Sequence, residues 1–316
     1  MFKGVYTAAS GMISAERVQE MLSHNLANAQ TPGYKQDRTA IRAFPEMLMQ
    51  RIQAQQGTGL SGGSARGMGT VGAGRSLTPI GTLHTGVYAQ EGVPQFSQGP
   101  IQETGRTLDV AIIDQSLPAN PETGRQGQLF FAVQVGDDGE IRYTRNGQFA
   151  IDAEGYLVTP EGYYVLDEAL NPIYTGNDLF VVTEDGHILL DPQVLATGPA
   201  GVNPEPRLWL GYTEQPHHLV REGHGLWRWA GAAGEADEPF AEPQLIDAVP
   251  FLNAAQNGGN VTFRVQQGFI EQSNVDVSQT MTQMLMQYRL YEANQRVLQT
   301  YDRSMELAAN QIGKLY

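Results

Sequence analysis

The sequence predicts an α+β protein: N- and C-terminal helices forming a coiled-coil-like helical domain, and a central antiparallel all-β domain. Three observations carry this. Apolar residues recur at heptad spacing near both ends of the 316-residue chain. Gly and Pro are absent from Val275 to Ile312. The middle is a succession of short β-branched and aromatic runs split by Gly-containing turns, and no strand–helix–strand alternation points to a parallel sheet.

In the first helix, Val5, Ala8, Met12, Ala15, Gln19, Leu22, Leu26 and Ala29 define a heptad seam. Ala8, Ala9, Ser10, Gly11 and Ala15 are small enough to admit another backbone closely. Gly4 and Gly11 each cost about 1 kcal/mol of helix propensity relative to Ala, so this helix needs a partner. Pro32 drives Thr31 out of the α region and Gly33 permits a positive φ. The helix therefore stops near Asn28 and the chain turns through Thr31, Gly33 and Tyr34. From Arg38 to Gln56, the apolar Ile41, Phe44, Met47, Leu48 and Ile52 predict a further helical piece, with Pro45 at its first turn or at a kink. Residues 57–78 are Gly-rich and read as a linker. With no Gly-Lys-Ser/Thr ending and no preceding strand, they do not form a phosphate loop.

Strands are predicted at Thr107–Ile113, Gln128–Val135, Ile141–Tyr143, Gln148–Ile151, Tyr156–Thr159 and Tyr163–Leu166. Asp138-Gly139, Asn146-Gly147, Glu154-Gly155 and Glu161-Gly162 supply the hairpin turns between them. Leu179–Thr183 and His187–Leu190 flank Asp185-Gly186 as another hairpin, and Arg207–Tyr212 and Val261–Val265 follow as later strands. The last helix is marked at its start by Asp276, an N-cap with Gln279 three residues on. Its stripe runs through Met281, Met284, Tyr288, Tyr291, Gln295, Leu298, Asp302, Met305, Ala309, Ile312 and Tyr316. At 1.5 Å per residue it is roughly 60 Å long, more than a compact domain can cover. The expected division is residues 1–56 as an N-terminal helical segment, 57–78 as linker, 79–268 as β domain, and 269–316 as a C-terminal helix pairing with the first.

Composition removes several function classes. The chain has no cysteine, which excludes disulfides, thiolate metal sites and cysteine nucleophiles. The net charge of −14 is divided unevenly: +2 over residues 1–52, −15 over the middle and −1 over residues 269–316. Near-neutral ends around an acidic middle suit a subunit whose ends are buried among neighbours. Only Lys3, Lys35 and Lys314 are lysines, and there is no basic stripe, so nucleic acid is not an expected partner. Ser10, Ser14, Glu16 and Arg17 interrupt any signal-peptide core, and no stretch is apolar enough to span a bilayer. Export without a cleaved leader is the expectation.

Catalytic and metal readings give way to plainer ones. His217, His218 and His224 lie near Glu222 but lack helical His-x-x-x-His spacing, so they read as a polar surface loop. Asp109 and Asp114 have no sequence-defined geometry for glycosidase chemistry, and Asp109 reads as a residue on the exposed face of a strand. No Ser-His-Asp arrangement is recognisable from the sequence. The tyrosines and methionines of the last helix sit at packing positions rather than in a cofactor box. No catalytic residue, cofactor or metal is assigned.

Three stretches together carry a family resemblance. Ala9-Ser10-Gly11-Met12, Asn25-Leu26-Ala27-Asn28 and Thr31-Pro32-Gly33-Tyr34-Lys35 resemble the N-terminal signature of bacterial flagellar axial proteins, the rod and hook subunits. Leu108–Ile112, Leu129–Val133, Tyr143–Phe149 and Asp152–Val158 are similar to the β core of that family, with 114–127 as a longer surface loop. Gly268–Asp276 and Met286–Asn294 resemble its C-terminal signature. The likeness is strongest to rod proteins of the Gram-positive type.

The resemblance implies a non-enzymatic subunit of the basal-body rod, stacked helically into the shaft between motor and hook. Its partners would be other copies of itself, neighbouring rod and hook axial proteins and the flagellar export apparatus, with oligomerisation confined to the assembled filament. The expected assembly interface comprises Val5, Met12, Leu22 and Leu26 in the first helix, and Asn28, Thr31, Gly33 and Tyr34 in the turn. Met281, Leu285, Tyr288, Tyr291, Leu298, Met305 and Ile312 complete it from the last helix. A hook or hook-associated subunit is the alternative. A peptidoglycan-acting β module on a helical stalk is the reading from a different functional class.

Overall fold

A computed structural model describes residues 2–44, 47–52, 77–83, 86–117, 126–136, 139–192, 194, 203–213, 215–230, 246–247 and 262–312. Helix α1 spans Phe2–Ala27. The first strands are β1 (Asp37–Arg38), β2 (Ile41–Ala43), β3 (Met47–Ile52), β4 (Leu77–Leu83), β5 (Val87–Ala89), β6 (Val93–Pro94) and β7 (Ile101–Glu103). Then come β8 (Val110–Ser116), β9 (Gln128–Val135), β10 (Glu140–Thr144), β11 (Ala150–Ile151), β12 (Leu157–Val158), β13 (Tyr164–Val165), β14 (Val181–Val182) and β15 (Ile188–Leu189). The last are β16 (Leu210–Thr213), β17 (Leu219–Gly223), β18 (Leu226–Trp229), β19 (Ile246–Asp247), β20 (Thr262–Gln267) and β21 (Phe269–Glu271), before helix α2 over Val277–Ile312. The chain divides into two compact units. Unit 1 is Met1–Glu20, Thr39–Glu91 and Met284–Tyr316, and unit 2 is Met21–Arg38 and Gly92–Gln283.

Unit 1 holds most of both helices and two antiparallel ribbons, β2 with β5 and β3 with β4. Over the described residues 38–44 and 47–52 the expected helical piece is not formed, and β1, β2 and β3 occur there instead; residues 53–56 lie outside the described residues. Backbone pairing with β5 and β4 satisfies its amides, and Ile41 and Phe44 remain exposed rather than lining a helix face. Pro45 and most of the Gly-rich linker lie outside the described residues, and residues 77–78 belong to β4. The small residues of α1 admit the ribbon: Val87 N–H donates to Ser10 Oγ at 3.2 Å, and Ser14 Oγ donates to Val87 O at 3.2 Å.

Unit 2 is built on a nine-stranded sheet in which every pairing is antiparallel. Strand β9 is its centre, pairing with β10, β13 and β16. Successive β9 side chains enter opposite cores: Leu129, Phe131 and Val133 join one apolar cluster, Phe130 and Ala132 the other. A strand covered on both faces reads as a continuous apolar run, which is why Leu129–Val133 shows no alternation. Gln128–Val135 appears as predicted, while other strands have shifted ends, as at β8, which begins at Val110 and pairs with β20. Asp185-Gly186 closes the β14–β15 hairpin as expected, with Gly186 at φ +86°.

Two expectations fail here. Asp109 is 1% exposed, not on an open strand face; it precedes β8 and accepts from Thr104 Oγ1 at 2.6 Å. Asn146-Gly147 is no hairpin turn, since β11 pairs with β12 and not with β10. The space taken by Val110 O beside Gly147 requires the glycine instead. Pro216–His218 forms a 3-10 turn, His218 stacks on Trp229 and His224 is exposed. No group of three metal-ligating side chains occurs among the described residues.

Candidate assembly interface and the junction at its base

Helix α2 starts at its cap, where Gln279 N–H donates to Asp276 Oδ1 at 3.0 Å. From Met284 to Gln311 its half-buried residues are Met284, Gln287, Tyr291, Asn294, Leu298, Tyr301, Met305 and Ala308, together with Glu292. The first eight alternate by three and four, a strict heptad. On α1 the matching positions within unit 1 are Gly4, Ala8, Gly11, Ala15 and Val18. A Cβ on Gly4 would collide with Tyr301, and one on Gly11 would lie 2.8 Å from Asn294 Nδ2. Rising along α1 therefore means descending along α2, an antiparallel contact within unit 1.

Of the expected seams, Ala8, Ala15 and Leu22 are buried and Met284, Tyr291, Leu298 and Met305 are half-buried. On α1 the close approaches to α2 are at Gly4 and Gly11, each one residue before the half-buried Val5 and Met12, and on α2 Gln287, Asn294 and Tyr301 are half-buried where Tyr288, Gln295 and Asp302 are exposed. Glycine and amide side chains carry no hydrophobic signal, so a count of apolar residues passes over them.

Displaced from that seam, α2 carries two more apolar stripes. Met281, Leu285 and Tyr288 are 49%, 61% and 51% exposed and follow heptad spacing on one side. On the other, Met286, Leu290, Val297 and Leu307 are 64%, 44%, 42% and 53% exposed and follow the same repeat. On α1, Tyr6 and Ile13 stand seven residues apart, both exposed. Val5, Met12, Leu26, Asn28 and Thr31 are half-buried, Leu22, Gly33 and Tyr34 are buried, and the side chain of Ile312 lies outside the described residues.

In unit 2, the turn after α1 and the approach to α2 are tied to the sheet by buried charges. Glu271 Oε1 accepts from Lys35 Nζ at 2.6 Å and Gly99 N–H at 2.8 Å, while Oε2 accepts from Arg145 Nε at 2.5 Å. Arg145 also donates to Asp114 Oδ2 at 2.6 Å and to Leu129 O. Gly33, at φ +70°, donates to Glu271 O at 2.8 Å, and a Cβ there would lie 2.6 Å from the Arg145 backbone. Asn274 Oδ1 accepts from Gln36 N–H at 2.7 Å. Arg221 lies 4.5 Å from the Tyr34 ring centroid and 4.8 Å from that of Trp227, donating to Asp37 Oδ2 and to Lys35 O. Tyr34 Oη donates to Asn25 Oδ1 at 3.0 Å.

Two cations and two anions balance here out of water, an arrangement that fixes geometry more than it adds stability. Burial alone pushes the Glu271 carboxyl up, but Arg145 and Lys35 outweigh it and hold the group below the ordinary carboxylate range. Burial lowers Lys35 despite Glu271 and raises Asp114 despite Arg145. For Arg145, the two carboxylates overcome burial and the pKa is raised.

Thr31–Lys35, Tyr143–Phe149 and Gly268–Asp276, separate in sequence, converge on this junction. Sequence reasoning did not single out Lys35, Arg145, Glu271 and Asp114 as a set. One signal was available: Lys35 is one of three lysines and follows a helix-ending Pro-Gly pair.

Three family models match the chain: "Flagella basal body rod protein" over residues 5–35, "Flagellar hook protein FlgE/F/G D1 domain" over 126–190, and "Flagellar basal body rod FlgEFG protein C-terminal" over 266–312. The chain is 36% identical over 315 residues to the flagellar hook-basal body complex protein FlhO of Bacillus subtilis, covering 100% of both. It is 28% identical to the flagellar basal-body rod protein FlgG of Borreliella burgdorferi, covering 98% of both chains. To the FlgG of Bacillus subtilis it is 27% identical, covering 98% of this chain and 99% of that one.

Proposed function

Because the chain belongs to the flagellar rod and hook protein family, whose members are structural rather than enzymatic, we propose that it is a subunit of the basal-body rod. It stacks helically with copies of itself and with neighbouring rod and hook axial proteins, after delivery by the flagellar export apparatus. The terminal segments, 1–56 and 269–316, make the assembling layer, and 79–268 forms the outer body. The observation that carries this reading is the surplus of apolar surface on α2: beyond the face toward α1, two exposed stripes run along it at heptad spacing. Repeated contacts of one face with a different face of the next molecule build an open helical assembly. In that assembly Met281, Leu285 and Tyr288 meet neighbours, as do Tyr6 and Ile13 of α1. Among the described residues no helix is long and apolar enough to cross a membrane.

Immunogold labelling of purified hook–basal bodies tests the proposal. Label on the shaft between motor and hook is expected. Label confined to the hook, or none on the particle, overturns it.

A further inference from the structure

We infer that Gly4 and Gly11 are sockets for Tyr301 and Asn294, and that this pair of contacts selects one register between α1 and the chain's own α2. The sockets are seven residues apart on α1, and so are the residues they receive on α2. Both sites are tight: a Cβ at Gly4 meets the Tyr301 ring, and one at Gly11 comes within 2.8 Å of the Asn294 amide. No other heptad register satisfies both. Sliding α2 by seven residues one way seats Tyr301 over Gly11 but sets Asn294 against the branched Val18, which is already 7% exposed. Sliding it the other way seats Asn294 over Gly4 and carries Tyr301 beyond the start of the chain.

The seam is built for selection rather than for strength. Asn294 and Gln287 are polar at half-buried positions, and Gln287 Oε1 is buried with no hydrogen-bond partner among the described residues. A polar residue in a heptad seam fixes register at a cost in stability. A featureless apolar seam would hold more tightly but would accept shifted pairings, including pairings with the α2 of another copy. Glycine sockets bar those pairings by shape, and they leave the two outer stripes of α2 for neighbours.

The absence of cysteine makes the test clean. Ala8→Cys is combined in turn with Leu298→Cys, the position opposite in the observed register, and with Tyr291→Cys or Met305→Cys, one heptad away on either side. The purified full-length chain is oxidised in dilute solution. The Ala8/Leu298 product should be intramolecular and exceed either slipped product by about tenfold, the ratio for a gap of about 1.4 kcal/mol. Adding Asn294→Val and Tyr301→Leu should bring the slipped products to within about twofold of it. Gly11→Ala, which fills a socket without altering α2, should lower the Ala8/Leu298 yield. Tryptophan fluorescence of the β body confirms that each variant is folded. Equal yields from all three pairs without the added substitutions, an unchanged pattern with them, or dimeric products alone would each overturn the inference. The readout belongs to the isolated chain, so its failure leaves the rod reading standing.

Discussion

Replacing Glu271 by Gln keeps the size and one acceptor oxygen but removes the charge that Lys35 and Arg145 share. In the native junction Glu271 accepts three buried hydrogen bonds, two of them from cations at 2.6 and 2.5 Å. After the change two buried cations face Asp114 alone, and the Gln amide hydrogens point at a positive group. Breaking one side of a buried ion pair costs about 3–5 kcal/mol, a large part of the roughly 5–15 kcal/mol that holds a domain folded. With a urea slope of about 2 kcal/mol per M, a loss of about 4 kcal/mol lowers the midpoint by about 2 M. Trp209 and Trp227, 4% and 2% exposed, report the transition by fluorescence.

The pH dependence gives the sign independently. Glu271 is held below its ordinary 4.5, so an unfolded chain takes up this proton before the folded one does. Its contribution is complete above that ordinary value and disappears as the pH falls through the depressed one. Asp114, raised by burial and in part by Glu271, works in the opposite sense. The variant should therefore lose the part of the acid-side slope that Glu271 supplies. A destabilisation under about 1 kcal/mol, or an unchanged acid profile, would refute the account of the junction.

Gly33→Ala forces a Cβ at φ +70° to within 2.6 Å of the Arg145 backbone and should cost about 1–3 kcal/mol in the same urea experiment. Asp276→Ala removes the acceptor for Gln279 N–H; a loss of about 1 kcal/mol should speed exchange of that amide about fivefold. Leu290→Glu, on an exposed face of α2, should alter stability by less than about 0.5 kcal/mol while excluding the chain from purified basal bodies, scored by immunoblot.

Much of this fold could be read from the sequence wherever one local rule decided the outcome. Gln128–Val135 was delimited to the residue because a run buried on both faces is unbroken in apolarity. Asp276 announced α2 because its capping chemistry is local. The misreadings share the opposite trait. Ile41–Ala43 and Met47–Ile52 became ribbons because pairing partners in β5 and β4 outweighed helical periodicity. Gly147 resembled a turn residue but answers to a carbonyl from another strand. The junction was least legible: Lys35, Arg145 and Glu271 are polar residues in separate motifs, and only tertiary proximity turns them into a unit. Gly11 was legible as a point of close approach, but its partner Asn294 was not, since the two fit by shape and not by hydrophobicity.

The separation of Lys35 from Glu271, 236 residues, also bears on how the polypeptide comes to be folded. A contact of such long range has a high loop-closure cost and belongs to the late part of a folding route. On the ribosome, Lys35, Asp114 and Arg145 all emerge well before Glu271, and any product ending short of residue 271 never acquires the counter-ion that Lys35 and Arg145 share.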